Sequence, residues 1–332
     1  MKLRLFLVAV LVLSASSGLS QKREEKPKLH ADFHFGGYPV YRDAITTMAK
    51  EDVRLLMVGF HQNWDLEKIA KESKVPQENL DKLFADLEEG RLVVEIDLYS
   101  RRPLLPVIRD KDIERVQPDL ETHIQEYTKV VRSNWTEIES AVASFEGAKG
   151  VPKPQLLYQV VVGGILFGGM NDAFFEDQRI MVPPPRRVGS QRYYGWLVES
   201  EPKLAGVLKR EQWESAGYTL VSIGTVLPEY RLSLDRIRMD NGMVLEEAEA
   251  RRFRSFVAIM AKEKLLPYFK ENRSAFMDAV NRFDAGRYVS RSEVFAWYYD
   301  QLANGVVEQL VAAGLIQPPT DQYAYALKSL AR

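Results

Sequence analysis

The sequence predicts a helix-rich α+β protein: a small module at about residues 46–110, then a larger helical domain, 111–332, with a small antiparallel sheet. Three observations predict it. Apolar residues recur at helical spacing through most of the chain. Short runs rich in β-branched and aromatic residues interrupt that spacing near 92–108 and 191–231. A content of 46% hydrophobic and 27% charged residues is that of a chain that buries a core.

The first element is not part of that fold. Lys2 and Arg4 precede an unbroken apolar run from Leu5 to Leu13, and a small, polar stretch follows to Ser20. Gly18 and Ser20 stand at the −3 and −1 positions of a cut before Gln21. This is the three-part layout of a secretory signal peptide, and a spanning helix would need about 20 apolar residues. The sequence therefore predicts an exported protein, periplasmic or extracellular, with no transmembrane span in the mature chain. Residues 21–45 read as a charged leader and an extended arm.

There is no cysteine, so disulfides, thiolate metal sites and cysteine nucleophiles are excluded. The formal net charge of −1 falls to −3 once Lys2 and Arg4 are removed. That balance gives no global attraction to nucleic acid or to acidic membranes.

Residues 45–60 carry Ile45, Met48, Val53, Leu56, Met57 and Phe60 at helical spacing. Asp65 is placed to cap a helix carrying Leu66, Ile69 and Ala70. Pro76 opens a second helix, whose stripe is Leu80, Leu83, Phe84 and Leu87, and Gly90 ends it. Leu92 to Leu98 reads as a strand, Tyr99 to Pro103 as a turn and Leu104 to Ile108 as a return strand. Residues 112–146 read as one long helix or two short ones. Leu156 to Met170, apolar apart from Gln159, reads as a buried core helix too short to span a membrane. Its Gly164 and Gly168, four apart, would let a neighbour approach closely. Pro183, Pro184 and Pro185 form a stiff connector. Residues 191–231 are β-rich, with strands at Tyr193–Val198 and Tyr218–Thr225. Residues 244–284 are helical, with a break near Pro267 and Asn272. Ser290 to Leu315 is helical again, and a short tail follows Pro318 and Pro319.

Residues 46–109 resemble the winged helix-turn-helix domains of bacterial repressors. The resemblance is carried by Asp65-Leu66-Glu67-Lys68-Ile69-Ala70, the turn around Val75-Pro76, and Leu80-x-x-Leu83 running into Leu87-Glu88-Glu89-Gly90-Arg91-Leu92-Val93. It covers about a fifth of the chain. The resemblance implies that the helix at 76–89 enters a DNA major groove, with the wing behind it. The charges oppose that use: Glu78, Asp81, Asp86, Glu88 and Glu89 face only Lys82. Arg101 and Arg102 would sit at the wing tip, where they could touch phosphate or a protein partner. A fainter echo at 306–316 has the same helix, glycine, strand grammar.

His30, Asp32 and His34 alternate, so on a strand all three would face one side. Two imidazoles and a carboxylate form a partial first shell for zinc or a similar divalent metal, with only His61 and His123 left to complete it. Arg186, Arg187, Arg192, Tyr193, Tyr194 and Trp196 form the densest basic-aromatic stretch. It reads either as a surface for a glycan, peptide or polyanion, or as an edge strand with its aromatics in the core. Ser222 lacks a nucleophile elbow and reads as buried. Asp172, Glu176 and Asp177 read as a solvated helix end.

These observations favour an exported, non-enzymatic binding or assembly protein that uses the winged-helix-like module as a protein-interaction scaffold. A protein partner leads, with a glycan or peptide behind it and nucleic acid disfavoured. The alternatives are an exported metal-dependent hydrolase through His30, Asp32 and His34, and a DNA-binding transcriptional regulator.

Overall fold

A computed structural model describes residues 33–38, 42–73, 75–97, 100–177, 179–187, 191–199, 209–224, 232–240, 242–284, 288–320 and 322–329. The leader, His30 and Asp32 lie outside the described residues. The fold is a helix-rich α+β structure built around two main apolar cores.

The chain enters through β1 (His34–Tyr38), followed by α1 (Arg42–Ala49), α2 (Glu51–His61), α3 (Leu66–Ser73) and α4 (Gln77–Glu89). Asp65 caps α3 as its position predicts, its carboxylate accepting from the Lys68 N–H at 2.7 Å. The stripes of α2, α3 and α4 close the smaller core, with Leu56, Phe60, Ile69, Leu80 and Leu87 almost fully buried. α4 stops at Gly90 as expected, but by a different geometry. Gly90 keeps a right-handed backbone, and the left-handed position falls on Arg91 (φ 51°).

A hairpin of β2 (Val93–Asp97) and β3 (Ser100–Pro103) follows. The return strand is therefore Ser100–Pro103, where a turn was expected. Val93 pairs with Pro103 and Glu95 with Arg101, and the register shifts between Glu95 and Asp97. Leu104 to Ile108 does not pair back onto β2. Its last two residues form β4 (Val107–Ile108), which joins a different sheet.

That second sheet separates the two cores. Its order is β1-β5-β4, with β5 (Tyr194–Val198) in the middle, antiparallel to β1 and parallel to β4. Successive strand side chains point to opposite faces. Accordingly Leu197 enters the smaller core while Tyr194, Trp196 and Val198 enter the larger one.

The larger core is helical. The stretch read as one helix or two is two, α5 (Asp110–Ser133) and α6 (Trp135–Ala143). Next come α7 (Lys153–Tyr158), a π-helical segment (Gln159–Gly169) and α8 (Met170–Glu176) as one continuous run. By length and composition Lys153–Glu176 could cross a membrane, but 89% of its most apolar window is buried inside the fold. A Cβ added at Gly163 would overlap the Ile223 side chain, so this glycine sets a close approach. The short α9 (Leu234–Met239) leads into α10 (Glu247–Ile259). A π-helical segment (Met260–Leu265) and α11 (Leu266–Glu271) continue α10 through Pro267 without the predicted break. The widened turn just before Pro267 places the proline in a first turn, where its missing N–H costs little. The chain does break at Asn272, before α12 (Arg273–Asn281). Finally α13 (Arg291–Ala312) runs through the middle of the core, buried at every position from Ser292 to Val307.

A third sheet caps one side, in the order β6-β7-β9-β8, from β6 (Lys209–Ser215), β7 (Tyr218–Gly224), β8 (Val244–Leu245) and β9 (Gln322–Lys328). The tail expected after Pro319 is thus a strand, antiparallel to β7 and parallel to β8.

Candidate functional site

A cleft of about 330 Å³ opens between the hairpin and the segment that leads into α13, lined by His61, Asn63, Ile96, Arg102, Pro103, Asp284 and Tyr288. That volume is at the small end of ligand sites, which run from about 300 to 1,000 Å³.

Local sequence rules place each group. His61 is the last residue of α2, and Asn63 takes the left-handed backbone (φ 62°) that ends it. Asparagine tolerates that conformation better than most residues. The Asn63 N–H donates to Phe60 O at 3.1 Å and the Trp64 N–H to Gly59 O at 2.9 Å, the paired bonds of a Schellman stop. Trp64 is then buried and anchors the turn.

Ile96 is the extra residue where the β2–β3 register shifts. A bulge bends its strand and re-aims a side chain. Ile96 is 41% exposed in consequence, as is Tyr288 across the cleft, and both are among the few large apolar side chains left in water. Strand alternation turns the two neighbouring arginines opposite ways. Arg101 is buried, its guanidinium 4.1 Å from the Phe84 ring centroid and 3.4 Å from the Glu95 carboxylate. Arg102 points into the cleft, where its one hydrogen bond among the described residues runs to the main-chain oxygen of Arg101 at 2.7 Å. The expectation that both arginines sit at an exposed tip is corrected for Arg101.

Asp284 stands just after Phe283, which packs on Trp297 of α13. Its nearest cation is Lys111, an exposed side chain 3.9 Å away. Burial pushes the His61 imidazole below its ordinary pKa, with Asp284 pulling it partly back up. The ring is therefore neutral at pH 7 and can both donate and accept. The cleft thus offers a guanidinium, a carboxylate, a neutral imidazole and two apolar faces.

The other predicted groups lie elsewhere. His34 is an exposed residue of β1, and among the described residues no three His, Cys, Asp or Glu side chains gather as a metal site. His123 is buried in the larger core, stacked on Phe276 and hydrogen-bonded to the Tyr268 hydroxyl at 2.7 Å. Tyr193, Tyr194 and Trp196 are buried, at 2%, 0% and 3% exposure, so the basic-aromatic stretch is no stacking surface. Arg192 is exposed and donates to Pro184 O at 2.9 Å. Ser222 is buried in β7 and bonds Gln322. Asp177 is not a solvated helix end. Arg179 and Lys270 hold it, and their hydrogen bonds pull its carboxyl down to about 2.

His61 was noticed only as a spare imidazole, and Asn63, Ile96, Pro103, Asp284 and Tyr288 carry no local signal. They come from three segments that only the fold brings together. Comparison with protein-family models, with curated proteins and with solved structures gives no match for this chain.

Proposed function

We propose that the protein is an exported, non-enzymatic binding protein in which residues 46–110 form a winged-helix-like module used as an interaction scaffold. The order α2, α3, α4 and a β2–β3 hairpin is the order such a module needs. The observation that carries the reading is the bulged Ile96, which faces a cleft that Tyr288, Arg102 and Asp284 share. Apolar walls with a few convergent polar groups are the composition of a ligand site. Partners of peptide character suit that mixture.

Three further observations support a use other than reading DNA. The carboxylates Glu78, Asp81, Glu88 and Glu89 of α4 are exposed, so the helix would meet phosphates with like charge. Arg101 is committed to Phe84 and Glu95, leaving one hairpin arginine for any phosphate. The basic, apolar and small-residue layout of residues 1–20, read as an export signal, supports the same reading, because an exported module would not meet a chromosome.

The test has two arms. Fractionation of cells expressing the full chain is expected to find it outside the cytosol. Mobility-shift titration with mixed-sequence duplex DNA at low salt is expected to show no complex. A cytosolic product that shifts DNA, with the shift lost in Arg102→Ala, would replace this reading with a regulator.

A further inference from the structure

We infer that the cleft takes a short peptide with both ends free, one charged end held at Arg102 and the other at Asp284. The inference rests on the binding reading and adds the chemistry of the ligand.

The argument starts from two opposite charges that do not satisfy each other. Arg102 and Asp284 line the same cavity, yet among the described residues no ion pair joins them. Arg102 meets no carboxylate among the described residues, and its one hydrogen bond goes to its own strand. Among the described residues Asp284 has only Lys111, at the outer limit of an ion pair and exposed to water. A guanidinium presents a planar fork that matches a carboxylate in two parallel hydrogen bonds. A carboxylate accepts equally well from an ammonium group. A ligand carrying both charges would satisfy each wall, whereas a simple anion would leave Asp284 facing it and a simple cation would leave Arg102.

The space between fixes the rest. Ile96, Pro103 and the Tyr288 ring supply apolar contact for a side chain, and the bulge at Ile96 turns that contact towards the cavity. Neutral His61 can donate to or accept from a peptide group. A volume of about 330 Å³ suits a dipeptide rather than a folded partner.

Calorimetric titration of the purified chain with alanyl-leucine, its N-acetyl form and its C-terminal amide tests this. Free alanyl-leucine is expected to bind, and each cap to weaken binding about tenfold. Arg102→Gln is expected to abolish the discrimination between acid and amide only, and Asp284→Asn that between free and acetylated amine only. A melt of each variant checks that it is folded. Equal binding of all three peptides, lost in Tyr288→Ala, would overturn the charge assignment while leaving a peptide site. Failure of all three to bind would overturn the inference, while the reading beneath it stands or falls on fractionation and DNA titration.

Discussion

Arg187 and Glu293, each 2% exposed, form an ion pair that ties the small module to the start of α13. Arg187 also donates to the main-chain oxygens of Arg91 at 3.0 Å and Leu104 at 3.2 Å, on either side of the hairpin. One side chain from the segment after the proline connector thus holds both cores in register. Burial pushes the Glu293 carboxyl upwards, and Arg187 opposes that push.

Removing one partner of a buried pair leaves an uncompensated charge. Arg187→Met is expected to cost about 3–5 kcal/mol in urea unfolding. The loss should be larger at pH 8 than at pH 5.5, because a protonated Glu293 no longer needs its partner. Glu293→Gln keeps an acceptor but leaves the buried guanidinium without its counter-charge, and is expected to cost a similar amount at both pH values. An unchanged urea midpoint for Arg187→Met would show that the pair does not hold the two cores together.

Asp300 carries a pH dependence of definite sign. It is buried in α13, accepts from Asn304 Nδ2 at 3.2 Å and Gln301 Nε2 at 3.3 Å, and burial raises its pKa to about 7. Among the described residues no cation offsets the raise, and only the Asn304 hydrogen bond opposes it. The native state therefore holds this proton more tightly than the unfolded state, where the pKa is about 3.9. Its contribution to stability is complete below that value and is lost as the pH rises through about 7. Asp300→Asn keeps the shape without the charge. It is expected to be more stable than the wild type at pH 8, by up to about 4 kcal/mol, with the gap closing towards pH 4. Parallel stability curves for the two proteins between pH 4 and 8 would contradict this.

Gly163 is a packing test. Its carbonyl accepts from Arg210 Nε at 2.9 Å, and an added methyl would overlap Ile223 of β7. Gly163→Ala is expected to cost about 1–3 kcal/mol through overpacking. Pairing it with Ile223→Ala should recover part of that loss. Additive costs in the pair would mean that the two sites do not touch.

The β6–β7 turn can be improved. Ser215 pairs with Tyr218, so Ala216 and Gly217 form a two-residue loop with φ of 52° and 75°. Both central residues of such a turn need positive φ, which suits Asn-Gly better than Ala-Gly. Ala216→Asn is expected to raise stability by about 1 kcal/mol, read as an increase in Tm. A lower Tm would show that another contact governs the turn.

Where a signal was local, the sequence was informative. The cap at Asp65, the stripe on α4 and the apolar run of residues 156–170 each state their own conformation within a few turns. β9 was missed because Gln322–Lys328 follows two prolines and owes its extension to β7 and β8, far away in the chain. β4 was assigned to the wrong partner because two apolar residues can complete any sheet. The bulge at Ile96, which shapes the cleft, is a mismatch in length between two strands and has no signature in either. Arg102 was singled out for its charge, but nothing near it in sequence announces Asp284 or Tyr288.

The burial of α13 on every side, with β9 lying inside its sheet, has a bearing on biosynthesis. The centre of the larger core is among the latest described elements to leave the ribosome, so the helices from α5 onwards have nothing to close around until it arrives. Until α13 arrives, the larger core of the nascent polypeptide stays open, with its apolar faces uncovered.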